Sequence, residues 1–226
     1  MPSKVSVVIP ALNEAESIGT VVQSMPWEEI AECIVVDNGS TDNTAEVARA
    51  AGARVVNSPR GYGAACAAGA RAAAATSNVL VFLDGDGSDD VSAMHLLLGP
   101  IEHGEADFVI GSRMRGTAEP GSLNGAQVFA AKMIGALVNM LYGFRYTDMG
   151  PFRAIRRECL EAMQMREMTY GWNLEMQIKS VRMELRIVDV PVDYRCRIGG
   201  ESKVSGNAWA SVKAGTRILG VLARVR

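Results

Sequence analysis

Apolar runs that stop abruptly at polar clusters set the rhythm of this chain. Val5-Ser6-Val7-Val8-Ile9 leads into Pro10-Ala11-Leu12-Asn13-Glu14, and Cys33-Ile34-Val35-Val36 into Asp37-Asn38-Gly39-Ser40-Thr41-Asp42. Val79-Leu80-Val81-Phe82-Leu83 leads into Asp84-Gly85-Asp86. Such runs read as strands buried in a parallel sheet. The polar clusters open helical patterns over Ala15–Met25, over Ala45–Ala51 with Gly52 at a C-terminal cap position, and over residues 90–102. Ala53–Asn57 predicts a further strand, followed by Gly61, Gly63 and an alanine-rich helix to about Ala75. Ala106–Ile110 predicts another, ending at Gly111-Ser112-Arg113. Alternation at this rhythm means βαβ units, hence an α/β fold with a mainly parallel central sheet flanked by helices.

The second half is less regular. Residues 126–144 are largely apolar, interrupted by Lys132 and Asn139, and read either as a core helix or as one lining an acceptor channel or resting on lipid headgroups. Short helices are predicted over Arg156–Met163 and Trp172–Val181, the latter carrying Glu175. Leu185–Val190 and Val192–Arg197 read as a strand pair broken at Pro191. In the tail, Ala208–Arg226, Lys213, Arg217 and Arg224 fall on one helical side and Ile218, Val221, Leu222 and Val225 roughly opposite. That amphipathic helix could complete the core, pair with another subunit in a homo-oligomer, or lie on an anionic membrane.

Composition narrows the picture. At 226 residues and 48% hydrophobic, with no Pro/Gly/Ser-rich linker, the chain predicts one α/β domain over residues 1–206. Residues 207–226 form a helix of that domain or a peripheral contact. Cys33, Cys66, Cys159 and Cys196 are scattered without a CxxC pair, which favours buried thiols in a reducing compartment. Neither a signal peptide nor a bilayer-spanning run is evident, so the expected location is cytoplasmic, with a peripheral place on the inner face of the membrane left open. Residues 1–150 hold nine Lys/Arg against seventeen Asp/Glu, whereas residues 151–226 hold fourteen against eight. A basic C-terminal part suits anionic ligands or an anionic membrane. Nucleic acid is disfavoured by a pI of about 5.8 and by the lack of aromatic–basic stacking patterns.

The chemistry concentrates at the strand ends. Ligands of open α/β sheets bind beyond the carboxyl ends of the strands. Asp84 and Asp86 therefore stand where a divalent Mg²⁺ or Mn²⁺ carrying phosphate oxygens is expected, although Asp-Gly-Asp also makes an ordinary turn. The glycines before the alanine-rich helix suit either an anion at its start or close helix–strand packing.

Taken in order, several segments resemble family 2 glycosyltransferases of the GT-A fold, and within them the dolichyl- or polyprenyl-phosphate hexose synthases. They are Pro10–Glu14, Val36–Asp42, Asp84-Gly85-Asp86, Gly111-Ser112-Arg113, Asp148-Met149-Gly150-Pro151-Phe152-Arg153 and Arg197–Lys203. The resemblance runs from Val5 to about Gly206. It implies that Pro10, Ala11, Asn13 and Glu14 border the nucleotide and that Asp37 accepts a hydrogen bond from the base. Gly63 and Gly85 would lie beside the nucleotide sugar. Asp84 would orient ribose or metal, and Asp86 would be the main metal ligand. Arg113 would reach acceptor or donor phosphates, and Arg197 and Lys203 would close over the pyrophosphate. Three positions depart from the family pattern: Ser88 where some members have a metal-binding glutamine, Asn38 where many have a second Asp, and Gly150-Pro151-Phe152 on the acceptor side.

The implied reaction is direct displacement at the anomeric carbon of a nucleotide sugar, with inversion. A polyprenyl phosphate acceptor is already an oxyanion and needs only positioning. A glycan or small-molecule hydroxyl needs a general base, for which Asp148 and Glu175 are the candidates. A third reading, a non-catalytic nucleotide-sugar-binding scaffold subunit, is opposed by the intact Asp84, Asp86, Arg113 and Arg197.

Overall fold

A computed structural model describes residues 4–123 and 125–199. Lys203 and the amphipathic tail lie outside the described residues. The first half follows the apolar rhythm. Strand β1 (Val5–Ala11) is followed by helix α1 (Ile18–Gln23), β2 (Glu32–Asp37), α2 (Thr44–Ala50), β3 (Arg54–Asn57), α3 (Tyr62–Ala72) and β4 (Val79–Phe82). A 3-10 turn, Val91–Ala93, then leads into α4 (Met94–Glu102) and β5 (Phe108–Ser112). The second half adds α5 (Gly125–Tyr142), β6 (Arg153–Arg156), α6 (Arg157–Met163), α7 (Trp172–Arg182) and β7 (Ile187–Pro191).

Seven strands make one sheet in the order β3-β2-β1-β4-β6-β5-β7. All neighbours pair in parallel except β6, which is antiparallel to both β4 and β5. The chain turns from β1 to β2 and β3 on one side and returns to β4 on the other. The switch point between β1 and β4 is where such sheets open a crevice. Every residue of β1, β4 and β5 is buried, as their predominantly apolar composition favours, while β3 and β7 form the partly exposed edges.

Side chains alternate between two cores. Val7, Ile9, Val35 and Val81 pack under α1 and α4, and Val8, Ile34, Leu80 and Phe108 pack under α3, α5 and α7. Three local expectations change. Helix α1 starts late, because Ser17 and Ile18 both donate backbone bonds to the Glu14 carbonyl in a preceding turn. Arg153–Arg156 is a central strand, hidden in the sequence by its two arginines. Val192–Arg197 forms no strand of its own; Tyr194 makes only isolated bridges to Asp89 and Ala118.

Candidate active site

A cavity of about 740 Å³ opens at the carboxyl ends of β1 and β4. Pro10 and Ala11 line it from the end of β1 and Glu14 from the loop that follows, and Asp84, Gly85 and Asp86 line it from the loop after β4. The loops around these ends are stitched together. The Asn13 amide donates to Ser40 Oγ (3.0 Å), and Asn13 Oδ1 accepts the Thr41 N–H (2.8 Å). Asn13 does this from a left-handed conformation with φ 52, which asparagine tolerates better than most residues. Asp37 accepts the Ser40 N–H at 3.0 Å and shapes the turn after β2; its neighbour Asn38 is the residue that lines the cavity. The Asn38 Oδ1 accepts the Gly61 N–H at 2.8 Å, tying the β2 loop to the start of α3.

Gly61 lines the cavity, whereas Gly63 is packed beneath it. A Cβ on Gly63 would stand 2.3 Å from the Glu167 carbonyl oxygen, so a side chain there would push α3 off the 167–168 backbone. Gly85 contributes its carbonyl, which accepts the Ser17 hydroxyl at 2.8 Å.

The carboxylates after β4 are closely spaced and unequal. Burial and the adjacent Asp86 push Asp84 up to about 7. Burial, then the Asp84 charge, raise Asp89 well above the usual carboxylate range. Burial also opposes ionisation of Asp86, but the Ser88 hydroxyl and amide and the Arg197 guanidinium outweigh it and hold Asp86 low. Ser88 donates to Asp86 Oδ1 from Oγ (2.6 Å) and N (2.9 Å), so this serine orients the aspartate. Arg197 Nη2 donates to Asp86 Oδ2 at 2.7 Å.

The buried atoms with no hydrogen-bond partner among the described residues include Asp89 Oδ1 and Arg197 Nη1. Buried polar atoms of this kind are rare, and an unfilled one calls for a ligand or water. Among the described residues no three His, Cys, Asp or Glu converge to hold a metal by themselves. Two acidic oxygen donors plus ligand phosphates is, however, the donor set that Mg²⁺ ordinarily takes. The residues present therefore fit a divalent cation that arrives with a diphosphate.

Opposite, Arg113 lines the cavity from the end of β5. Its Nε and Nη2 donate to the two oxygens of Asp148 at 2.8 and 2.9 Å, and its backbone N–H donates to the same carboxylate at 3.0 Å. Burial disfavours the Arg113 charge, yet the Asp148 pairing prevails and raises its pKa. Asp148 stands behind Arg113 and does not line the cavity. The buried Glu175 does not line it either: its carboxylate accepts the Arg166 and Glu167 N–H groups and pairs with Lys179 at 2.8 Å. Arg60, Tyr194 and Arg195 line the cavity and carry no signal in the sequence pattern. Arg153 is also unanticipated. It is fully buried, and its guanidinium donates to the carbonyls of Met149, Gly150, Pro151 and Asn173, bracing the loop that holds Asp148.

Known proteins resemble this chain in sequence and in fold. The family model for glycosyl transferase family 2 matches residues 6–164. An uncharacterized glycosyltransferase of Mycobacterium tuberculosis is 38% identical over 217 residues, covering 93% of this chain and 94% of its own. The undecaprenyl-phosphate mannosyltransferase of Micrococcus luteus is 33% identical over 223 residues, covering 90% and 88%. Among solved structures, the glucosyl-3-phosphoglycerate synthase of M. tuberculosis superposes with a TM-score of 0.79 at 24% identity, covering 99% of this chain and 80% of that one, a likeness of fold. The chain belongs to glycosyl transferase family 2 and has the GT-A fold.

Proposed function

We propose that this transferase moves a hexose, with inversion, from a nucleotide sugar of the UDP-glucose or GDP-mannose type to a polyprenyl phosphate. Asp84 and Asp86 would hold Mg²⁺ or Mn²⁺. The observation that carries the reading is the Asp86 carboxylate at the cavity wall, held low by Ser88 and by Arg197, whose Nη1 has no partner among the described residues. The ionised carboxylate suits a cation and the unfilled guanidinium donor suits a diphosphate oxygen. The synthase that shares this fold has been solved with Mn²⁺ and UDP-glucose. When bound, the cation supplies charge neutralisation to the leaving diphosphate. Arg197 donates to the diphosphate oxygens, and Ser88 keeps Asp86 oriented. Pro10 and Ala11 bound the nucleotide, with Asn38 and Gly61 across from them.

The acceptor reading rests on where the two candidate bases lie. Asp148 and Glu175 are both committed to structural partners and neither lines the cavity. An acceptor that arrives as an oxyanion needs no base, and Arg113 offers it a fixed guanidinium. The mannosyltransferase of M. luteus, named for undecaprenyl phosphate, supports the lipid. Along α5, Phe129, Met133 and Met140 are 66%, 51% and 73% exposed on one face, an apolar strip suited to lipid at a membrane surface. No helix among the described residues is long and apolar enough to cross a membrane. A second reading, transfer to a glycan or small-molecule hydroxyl, is favoured by Glu14, an acidic residue that does line the cavity.

Radiolabelled transfer from UDP-glucose and GDP-mannose, with Mn²⁺ or Mg²⁺, into a phase containing polyprenyl phosphate tests the proposal. Cation-dependent label in the lipid phase from one donor is the expected result. Cation-dependent release of UDP or GDP with no lipid label would overturn the lipid acceptor and favour a hydroxyl.

A further inference from the structure

Arg113 meets the acceptor in the proposed function, and one edge of its guanidinium is already consumed by Asp148. One face is covered as well. The Arg113 Cζ stands 4.9 Å from the centroid of the Tyr194 ring. Tyr194 is 8% exposed and lines the cavity, and no sequence pattern singles it out.

Its backbone joins three segments. The Tyr194 N–H donates to the Thr117 carbonyl (2.9 Å), and its carbonyl accepts the Glu119 N–H (2.8 Å), both on the loop after Arg113. Tyr194 also bridges Asp89. The residues that follow run along the carboxylate turn: Arg195 N–H donates to the Ser88 carbonyl (2.9 Å) and Ile198 N–H to the Asp86 carbonyl (3.0 Å). Ile198 packs on Gly87, where a Cβ would meet it at 2.5 Å and where φ is +79. Burial, then the Asp89 charge, push the phenol up to about 12, so the ring that faces Arg113 is neutral.

We propose that Tyr194 is a positioning residue for the acceptor: its ring fixes the plane of Arg113, and its backbone ties that plane to the Asp86–Ser88 turn. The proposal rests on the reading of Arg113 as the acceptor-anion group. A guanidinium held on one edge by a carboxylate and on one face by an aromatic ring keeps its remaining N–H groups in a single direction. Removing the ring frees Arg113 to tilt about the Asp148 contact, while Ser88 keeps its own two bonds to Asp86. The phenol's hydrogen bond to Ser88 is lost alike in Tyr194→Phe and Tyr194→Leu, so the difference between the two variants isolates the ring.

The test is calorimetric binding of two probes, geranyl monophosphate and UDP with Mn²⁺, to the wild-type chain, Tyr194→Phe and Tyr194→Leu. Loss of the ring face is expected to weaken geranyl monophosphate about tenfold in Tyr194→Leu. Tyr194→Phe, which keeps the ring, should bind it within about twofold of wild type, and UDP should bind all three chains alike. Unchanged geranyl monophosphate binding by Tyr194→Leu would overturn the proposal. So would a Phe variant as weak as the Leu variant, or UDP affinity falling in parallel, which would mark a merely structural residue. Absence of geranyl monophosphate binding to the wild-type chain, with UDP bound, would instead overturn the lipid-phosphate reading on which the proposal stands.

Discussion

Two arginine–aspartate pairs reach the cavity through their arginines, and they are built differently. Arg113 and Asp148 share two side-chain bonds, and the Asp148 side chain is wholly buried. Asp148 also accepts the Met149 N–H at 2.7 Å, while its carbonyl accepts Gln177 Nε2 at 2.8 Å. Arg197 and Asp86 share one bond at 2.7 Å, with side chains 26% and 13% exposed, and Arg197 Nη1 has no partner among the described residues. A saturated buried pair is costly to break, because removing one member strands the other in low dielectric. An unsaturated pair at a cavity wall can exchange its partner for a ligand at little cost. The same two residue types therefore make a fixed bracket at Arg113 and, at Arg197, a contact that a ligand can exchange.

Substitutions can break the contrast, beginning with the largest effect. Asp86→Ala removes the low-pKa carboxylate of the donor side and should lower cation-dependent transfer by about 10³-fold or more, with the thermal midpoint little changed. Near-normal turnover in that variant would remove Asp86 from the cation site. Asp148→Ala should act on the fold, stranding Arg113 at a cost of about 3–5 kcal/mol in urea unfolding. A loss below about 1 kcal/mol would make that pair no different from a surface contact. Arg197→Lys keeps the charge but loses the planar fork. It should weaken UDP binding about tenfold in the presence of Mn²⁺ while leaving stability within about 0.5 kcal/mol. The smallest effect is the cation alone. With only two carboxylates to hold it, Mn²⁺ should raise the melting temperature slightly by itself and much more when UDP is also present.

The half of the site built on β1 and β4 is the legible one. Parallel strands buried on both faces are predominantly apolar, so β1, β2, β4 and β5 announce themselves. Asp84, Asp86, Pro10 and Glu14, which follow from that pattern, line the cavity. The other half follows other rules. Strand β6 begins and ends in arginine, and Arg153 is tolerated in the core only because backbone carbonyls surround its guanidinium, a condition no periodicity reveals. Asp148 and Glu175 were read as candidate bases from residue type and place, whereas their hydrogen bonds depend on loops distant in sequence. Val192–Arg197 reads as a strand in the sequence, but backbone bonds from it go to the 117–119 and 86–88 segments. Tyr194 lies in that stretch, where the sequence pattern carries no sign of its contact with Arg113.

The most direct test is a crystal structure with Mn²⁺ and an unreactive analogue of the nucleotide sugar bound. The account predicts that the Arg197 guanidinium leaves Asp86 for the donor diphosphate, while both Arg113–Asp148 bonds persist unchanged. Arg197 still paired with Asp86 beside a bound donor, or Arg113 released from Asp148, would contradict it.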